Sequence, residues 1–168
     1  INVETMQPDG TAKPGGGLLS TFEPPSGPDI RVDGYGYAGY ATNPAYDSLL
    51  AKLIVFARSG RVDDVTGKGY RALCEFNVAG APTNIAFLQA VLSDKHVRAG
   101  SFDTGFVVAN APGLLAVDAA AHPRLYATVK DDGRRGARAG AKVDATDPLS
   151  VLTYGQSTRG QSVPGAGP

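Results

Sequence analysis

This 168-residue chain predicts an α+β fold: a small mixed or antiparallel sheet with two or three helices, followed by an irregular tail. Three observations point there. Strand-like stretches closed by glycine or proline occur at residues 1–5, 18–22 and 30–32. Two others, 61–76 and 85–92, carry helical spacing instead. The aromatic residues also stop early. Of 7 Tyr and 6 Phe, only Tyr126 and Tyr154 lie beyond residue 110.

Residues 1–5 alternate apolar and polar with a period of two, which reads as a strand. Gln7-Pro8-Asp9-Gly10 is a turn, and Lys13-Pro14-Gly15-Gly16-Gly17 is a second bend. Residues 18–22 form a short strand. The loop 23–28 follows, because its three prolines cannot donate to a ladder. Residues 30–32 are another strand, with Ile30 and Val32 on one face and Arg31 on the other. Tyr35, Tyr37 and Tyr40 then alternate with glycines before a turn at Asn43-Pro44. Residues 48–56 are the most apolar segment, and the ending Ile54-Val55-Phe56 favours a buried strand. In residues 61–76, Val62, Val65, Gly69, Leu73 and Phe76 share a helical face, with Asp63 and Asp64 suiting the dipole of the first turn. Gly67 and Gly69 each cost that helix about 1 kcal/mol against alanine, so it depends on packing. Residues 77–81 suit a strand. Thr83 or Asn84 caps a helix over 85–92, and Phe102 and Phe106 anchor a last short element at 101–109. Beyond residue 110, residues 131–140 read as a mobile loop, 148–154 as an apolar patch and 155–168 as an interdomain linker.

Charge is balanced, 16 basic residues against 16 acidic, which argues against a nucleic-acid or membrane partner held by electrostatics. No apolar run approaches the roughly 18 residues of a membrane span. The single cysteine, Cys74, excludes an internal disulfide and fits a reducing cytoplasm. His96 and His122 lie too far apart in sequence to suggest a multi-histidine metal site. The chain opens without methionine and directly on a strand pattern, as a piece of a longer polypeptide would.

Few motifs carry chemistry by residue type alone. Gly15-Gly16-Gly17 matches neither phosphate-binding glycine pattern and no helix follows it, so a bend explains it. Tyr35, Tyr37 and Tyr40 suit either a stacked ligand or, more commonly, a paved sheet face. Asp47 and Lys52 pair structurally with each other or with groups outside the chain. Arg31, taken alone, is a charge on a strand.

Several separated blocks nevertheless occur together in a family's order and spacing. They are Ile1-Asn2-Val3-Glu4-Thr5, Lys13-Pro14-Gly15-Gly16-Gly17, Phe22-Glu23-Pro24-Pro25-Ser26-Gly27-Pro28, and Arg31-Val32-Asp33 with Tyr37-Ala38-Gly39-Tyr40. Tyr46-Asp47-Ser48-Leu49-Leu50-Ala51-Lys52-Leu53-Ile54, Arg71-Ala72-Leu73, and Thr83-Asn84 before Phe87-Leu88 complete the set. The chain resembles, from residue 1 to about 108, the C-terminal domain of biotin carboxylase. The block at 22–28 looks most like single-chain, multidomain carboxylases of the acyl-CoA or pyruvate type.

The resemblance implies a domain at 1–109 that closes one side of an ATP-grasp active site, and a linker at 110–168 leading to a biotin-carrier domain. The implied reaction uses Mg-ATP and bicarbonate to form carboxyphosphate and then carboxylates N1' of biotin. It implies a catalytic role for Arg31 at the biotin ureido end, where a permanently cationic planar fork stabilises developing enolate charge. The ATP and Mg sites fall upstream of Ile1, so this chain is expected to hold no metal and to be inactive alone. A homo-oligomer in the cytoplasm, with the ATP-grasp core of the same polypeptide as partner, completes the expectation. The chain departs from the family at Ala79, where a charged residue is common, at Gly15, and in the glycines at 67 and 69. Two alternatives stand beside this reading: a domain that serves mainly as interface or scaffold, and part of a urea- or guanidine-type carboxylase.

Overall fold

The computed structural model describes residues 1–127. The readings placed at 131–140, 148–154 and 155–168 lie outside the described residues, as does most of the linker expected from residue 110. In chain order the strands are β1 (Glu4–Met6), β2 (Ala12–Pro14), β3 (Gly17–Leu18), β4 (Thr21–Glu23), β5 (Ile30–Gly34), β6 (Ala41–Thr42), β7 (Ala51–Val55) and β8 (Asn77–Ala79). The helices are α1 (Val62–Glu75), α2 (Ile85–Ser93), α3 (Lys95–Arg98) and α4 (Phe106–Leu115). The α+β class stands, with four helices in place of the two or three expected. The additional one is α3, a single turn that Asp94 caps by accepting the His96 amide at 2.7 Å. No described helix is long and apolar enough to cross a membrane.

The strands form four two-stranded antiparallel ladders, β1–β2, β3–β6, β4–β8 and β5–β7. Where one strand was expected over 18–22, two occur. The chain bends at Leu19 and Ser20 between β3 and β4, so each half pairs with a different partner. The bend buries Leu19 completely beside Val3 and Leu50. Gly80 is what allows this crossing. Its φ is +95°, and a Cβ there would collide with the Leu18 carbonyl.

Two further apolar clusters hold the helices. Ile1, Ala51, Leu73 and Phe76 are buried under β5 and β7, with Phe22 edge-on to Phe76 at 5.6 Å. The other joins Phe87 and Ala90 of α2 to Leu114 of α4. The face that α1 buries is Thr66, Gly69, Ala72, Leu73 and Cys74, while Val62 is 45% exposed. The expected stripe is therefore rotated away from its first residue. Gly67 lies on the solvent side, and a Cβ there would meet nothing within 4 Å. Gly67→Ala is thus expected to stabilise the domain by about 1 kcal/mol, and Gly80→Ala to destabilise it. Urea midpoints of the two variants check both signs.

The element expected at 101–109 begins at Phe106 and continues to Leu115, so the boundary placed at residue 109 falls inside α4. Val107, Ala111, Leu114 and Leu115 repeat at helical spacing and supply the packing face. Pro112 is tolerated because the carbonyl it leaves unpaired belongs to Val108, which is 65% exposed to water. The compact unit then carries on to Ala127. His122 is buried, and the Leu125 amide donates to the Cys74 carbonyl at 2.8 Å.

The N-terminal strand is fixed by a carboxylate. Glu4 is only 7% exposed, and its Oε1 accepts from Asn84 Nδ2 at 2.8 Å. Its Oε2 accepts from Ser48 Oγ at 3.0 Å and Asn2 Nδ2 at 3.1 Å. Asn84 occupies the N-cap position of α2 as expected, yet its side chain makes no cap bond. Its Oδ1 accepts the Asn2 amide at 2.9 Å instead.

Candidate functional site

The strand that carries Arg31 is the best-defined ladder of the domain. Ile30, Arg31, Val32, Asp33 and Gly34 stand opposite Val55, Ile54, Leu53, Lys52 and Ala51. Alternation turns Val32 and Leu53 toward the cluster beneath, and leaves Arg31, Asp33, Lys52 and Ile54 on the solvent side. The start of β5 is clamped onto α1. Asp29 adopts φ 63°, a left-handed conformation that aspartate tolerates. Its Oδ2 lies 3.0 Å from Lys68 Nζ, and its carbonyl accepts the Phe56 amide at 3.0 Å. Lys68 Nζ also donates to the Phe56 carbonyl at 2.9 Å. The platform under Arg31 is thus tied to the long helix at one end.

Arg31 reaches one neighbour: its Nη2 lies 3.1 Å from Asp33 Oδ2, with the two side chains 70% and 50% exposed. The contact is an ion pair, and the other guanidinium nitrogens have no partner among the described residues, so much of the fork faces solvent. Of the two pairings expected for Asp47 and Lys52, the one with each other does not form among the described residues. Asp47 Oδ1 accepts the Leu49 amide at 2.9 Å, closing a local turn. Lys52 points to solvent and enters no ion pair among the described residues. The expected buried strand at 48–56 is buried on one face only: Ile54 is 39% and Phe56 59% exposed.

The tyrosines do not pave a sheet face. They sit on the loop after β5, where Tyr35 and Tyr37 meet Tyr40 edge-on at 5.4 and 5.5 Å. Tyr40 packs on the Val3–Leu19–Leu50 cluster, while Tyr35 and Tyr37 remain 52% and 61% exposed. Partial burial, followed by the nearby Tyr40 and Asp47, pushes the Tyr35 phenol above its ordinary value.

Sequence reasoning missed a second polar cluster. His122 Nδ1 lies 3.1 Å from the Tyr70 hydroxyl, while its Nε2 is buried with no partner among the described residues. Gln89 Nε2 donates to Cys74 Sγ at 3.4 Å. Burial pushes the Cys74 thiol above its ordinary value. Beside the cluster lies a cavity of about 150 Å³ lined by Cys74, Gln89, His122 and Arg124 among others. Tyr70 sits four residues before Cys74 on α1, but nothing in the sequence links either to His122, 48 residues beyond Cys74. Among the described residues no three His, Cys, Asp or Glu side chains gather to hold a metal ion.

The family model of the biotin carboxylase C-terminal domain matches residues 1–109. Human mitochondrial pyruvate carboxylase is 38% identical over 109 residues, covering 64% of this chain and 9% of that protein. A solved single-chain, multi-domain long-chain acyl-CoA carboxylase is 42% identical with a TM-score of 0.64, over 74% of this chain and 12% of that one. The biotin carboxylase domain dimer of Hydrogenobacter thermophilus 2-oxoglutarate carboxylase, solved with MgADP, ADP and bicarbonate, is 31% identical with a TM-score of 0.58. That match covers 62% of this chain and 22% of the other. The chain spans only 9% to 23% of the length of three curated relatives. With its blocks matched in order and its fold shared, the chain belongs to the biotin carboxylase C-terminal domain family.

Proposed function

We propose that this domain completes the active site of a biotin-dependent carboxylase, in which ATP and bicarbonate drive carboxylation of biotin on a carrier domain. Arg31 is the catalytic contribution. The observation that carries this reading is an exposed guanidinium, only partly engaged, on the β5–β7 ladder, and the resemblance assigns that arginine the family's role. Its free N–H groups fit the ureido oxygen of biotin, and a fixed cation there favours the form in which that oxygen gains negative charge. Mg-ATP, held by the ATP-grasp part of the polypeptide, supplies the activation of bicarbonate. The working enzyme is a cytoplasmic homo-oligomer.

On this reading the chain by itself has no ATP chemistry. After circular dichroism has established that the isolated chain is folded, bicarbonate-dependent ATP cleavage is expected at the buffer rate. Substantial turnover would overturn the assignment of that step to another part of the protein.

One observation favours a second reading, an interface or scaffold. Ile54 and Phe56 are 39% and 59% exposed, and Ile54 stands directly opposite Arg31. The arginine substitution argued in the Discussion separates the two.

A further inference from the structure

We propose that Asp33 is the positioning residue that aims the Arg31 guanidinium; this rests on the catalytic reading of Arg31. In an antiparallel pair, a charged side chain ordinarily finds its partner directly across the ladder. For Asp33 that partner is available, because Lys52 stands opposite it. The structure makes the other choice. Asp33 Oδ2 takes Arg31 Nη2 at 3.1 Å, and Lys52 is left without an ion pair among the described residues.

The choice has a geometric consequence. Arg31 and Asp33 lie on the same face of β5, about 7 Å apart along the strand. To reach Asp33 the guanidinium leans along the strand toward its C-terminal end, where the tyrosine loop at 35–40 begins, in place of standing out from the sheet. Only Nη2 is engaged, so the remaining donors of the fork stay available to a planar acceptor. A free arginine samples many rotamers, and a carboxylate that selects one removes that ordering cost from substrate binding. The pair is too exposed to matter for stability, so changing Asp33 leaves the fold intact.

The test compares Asp33→Ala, Asp33→Asn and Asp33→Glu with Arg31→Ala in the full-length carboxylase, with free biotin as substrate. Asp33→Ala is expected to lower kcat for biotin carboxylation about tenfold. KM for ATP stays unchanged, and more ATP is cleaved per biotin carboxylated. Asp33→Asn keeps an acceptor oxygen and retains more activity than the alanine variant. Asp33→Glu keeps the carboxylate and recovers part of the loss. If Asp33→Ala stays within about twofold of wild type in rate and in coupling ratio while Arg31→Ala is slow, the Asp33 assignment is overturned and the reading of Arg31 survives. A loss spread equally over ATP binding marks Asp33 as structural and overturns it too. If Arg31→Ala is itself unimpaired, both fall.

Discussion

Arg31→Ala in the full-length carboxylase is expected to lower the rate of biotin carboxylation by about two to three orders of magnitude, as loss of a preorganised donor to a developing oxyanion does. ATP binding is expected to be unchanged, because on this reading ATP is held by the ATP-grasp part of the polypeptide and Arg31 acts at the biotin end. The fold is expected to survive, since the side chain is 70% exposed and its one partner is an exposed carboxylate. Arg31→Lys keeps the charge and loses the planar fork, so it should rescue only a fraction of the rate. Steady-state kinetics on free biotin, with a thermal melt of each variant, give the result. Unchanged carboxylation by Arg31→Ala would favour the scaffold reading, in which Ile54 and Phe56 matter and the arginine does not.

Residue pattern alone carried the local geometry of this site but not its chemistry. Period-two alternation placed Arg31 opposite in direction to Ile30 and Val32, and the ladder with β7 bears that out. Nothing in that alternation separates a catalytic arginine from a solvated one; the catalytic reading proposed for Arg31 rests on the resemblance of the blocks around it. The pairing of strands was less legible. Leu18-Leu19-Ser20-Thr21-Phe22 reads as one strand because local pattern is blind to which partner each half finds. The strand at 48–56 read as buried from its apolar composition, yet it pairs along one edge and covers the helices with one face only. Asp47 and Lys52 were expected to pair with each other or with groups outside the chain, and the first of these does not occur among the described residues. The competing local turn at Leu49 took Asp47, and the open face of β7 gave Lys52 to water. The last element was expected to end at residue 109, yet α4 runs on through Pro112 to Leu115, with Val108 exposed one turn before the proline.

The carboxylate of Glu4 is the contact least visible in sequence, and removing it should have the largest effect on stability. Three side-chain donors converge on it: Asn2 and Ser48 from the chain around the first strand, and Asn84 from the start of α2. Asn84 is 80 residues away in sequence, so a reading of local pattern assigns it to helix capping and assigns Glu4 to the polar side of a strand. In the structure Asn84 gives up its capping role and bonds to Asn2 and Glu4. Glu4→Ala would strip these donors of their acceptor in a site that is 7% exposed. Each buried donor left unsatisfied costs about 1–3 kcal/mol, and water can refill part of the space, so a total loss of about 3 kcal/mol or more is expected. Glu4→Gln should cost less. It preserves the shape and one acceptor oxygen, and the Ser48 hydroxyl can turn to accept from its amide, but the amide nitrogen cannot accept from Asn2 Nδ2. The order wild type, Glu4→Gln, Glu4→Ala in denaturant midpoint is therefore the prediction. Gly67→Ala, which touches none of these groups, should add its stabilisation independently to either variant. Should Glu4→Ala unfold at the wild-type midpoint, the hub does not hold the first strand to α2. Burial of Ile1, Val3 and Leu50 would then have to hold that corner alone.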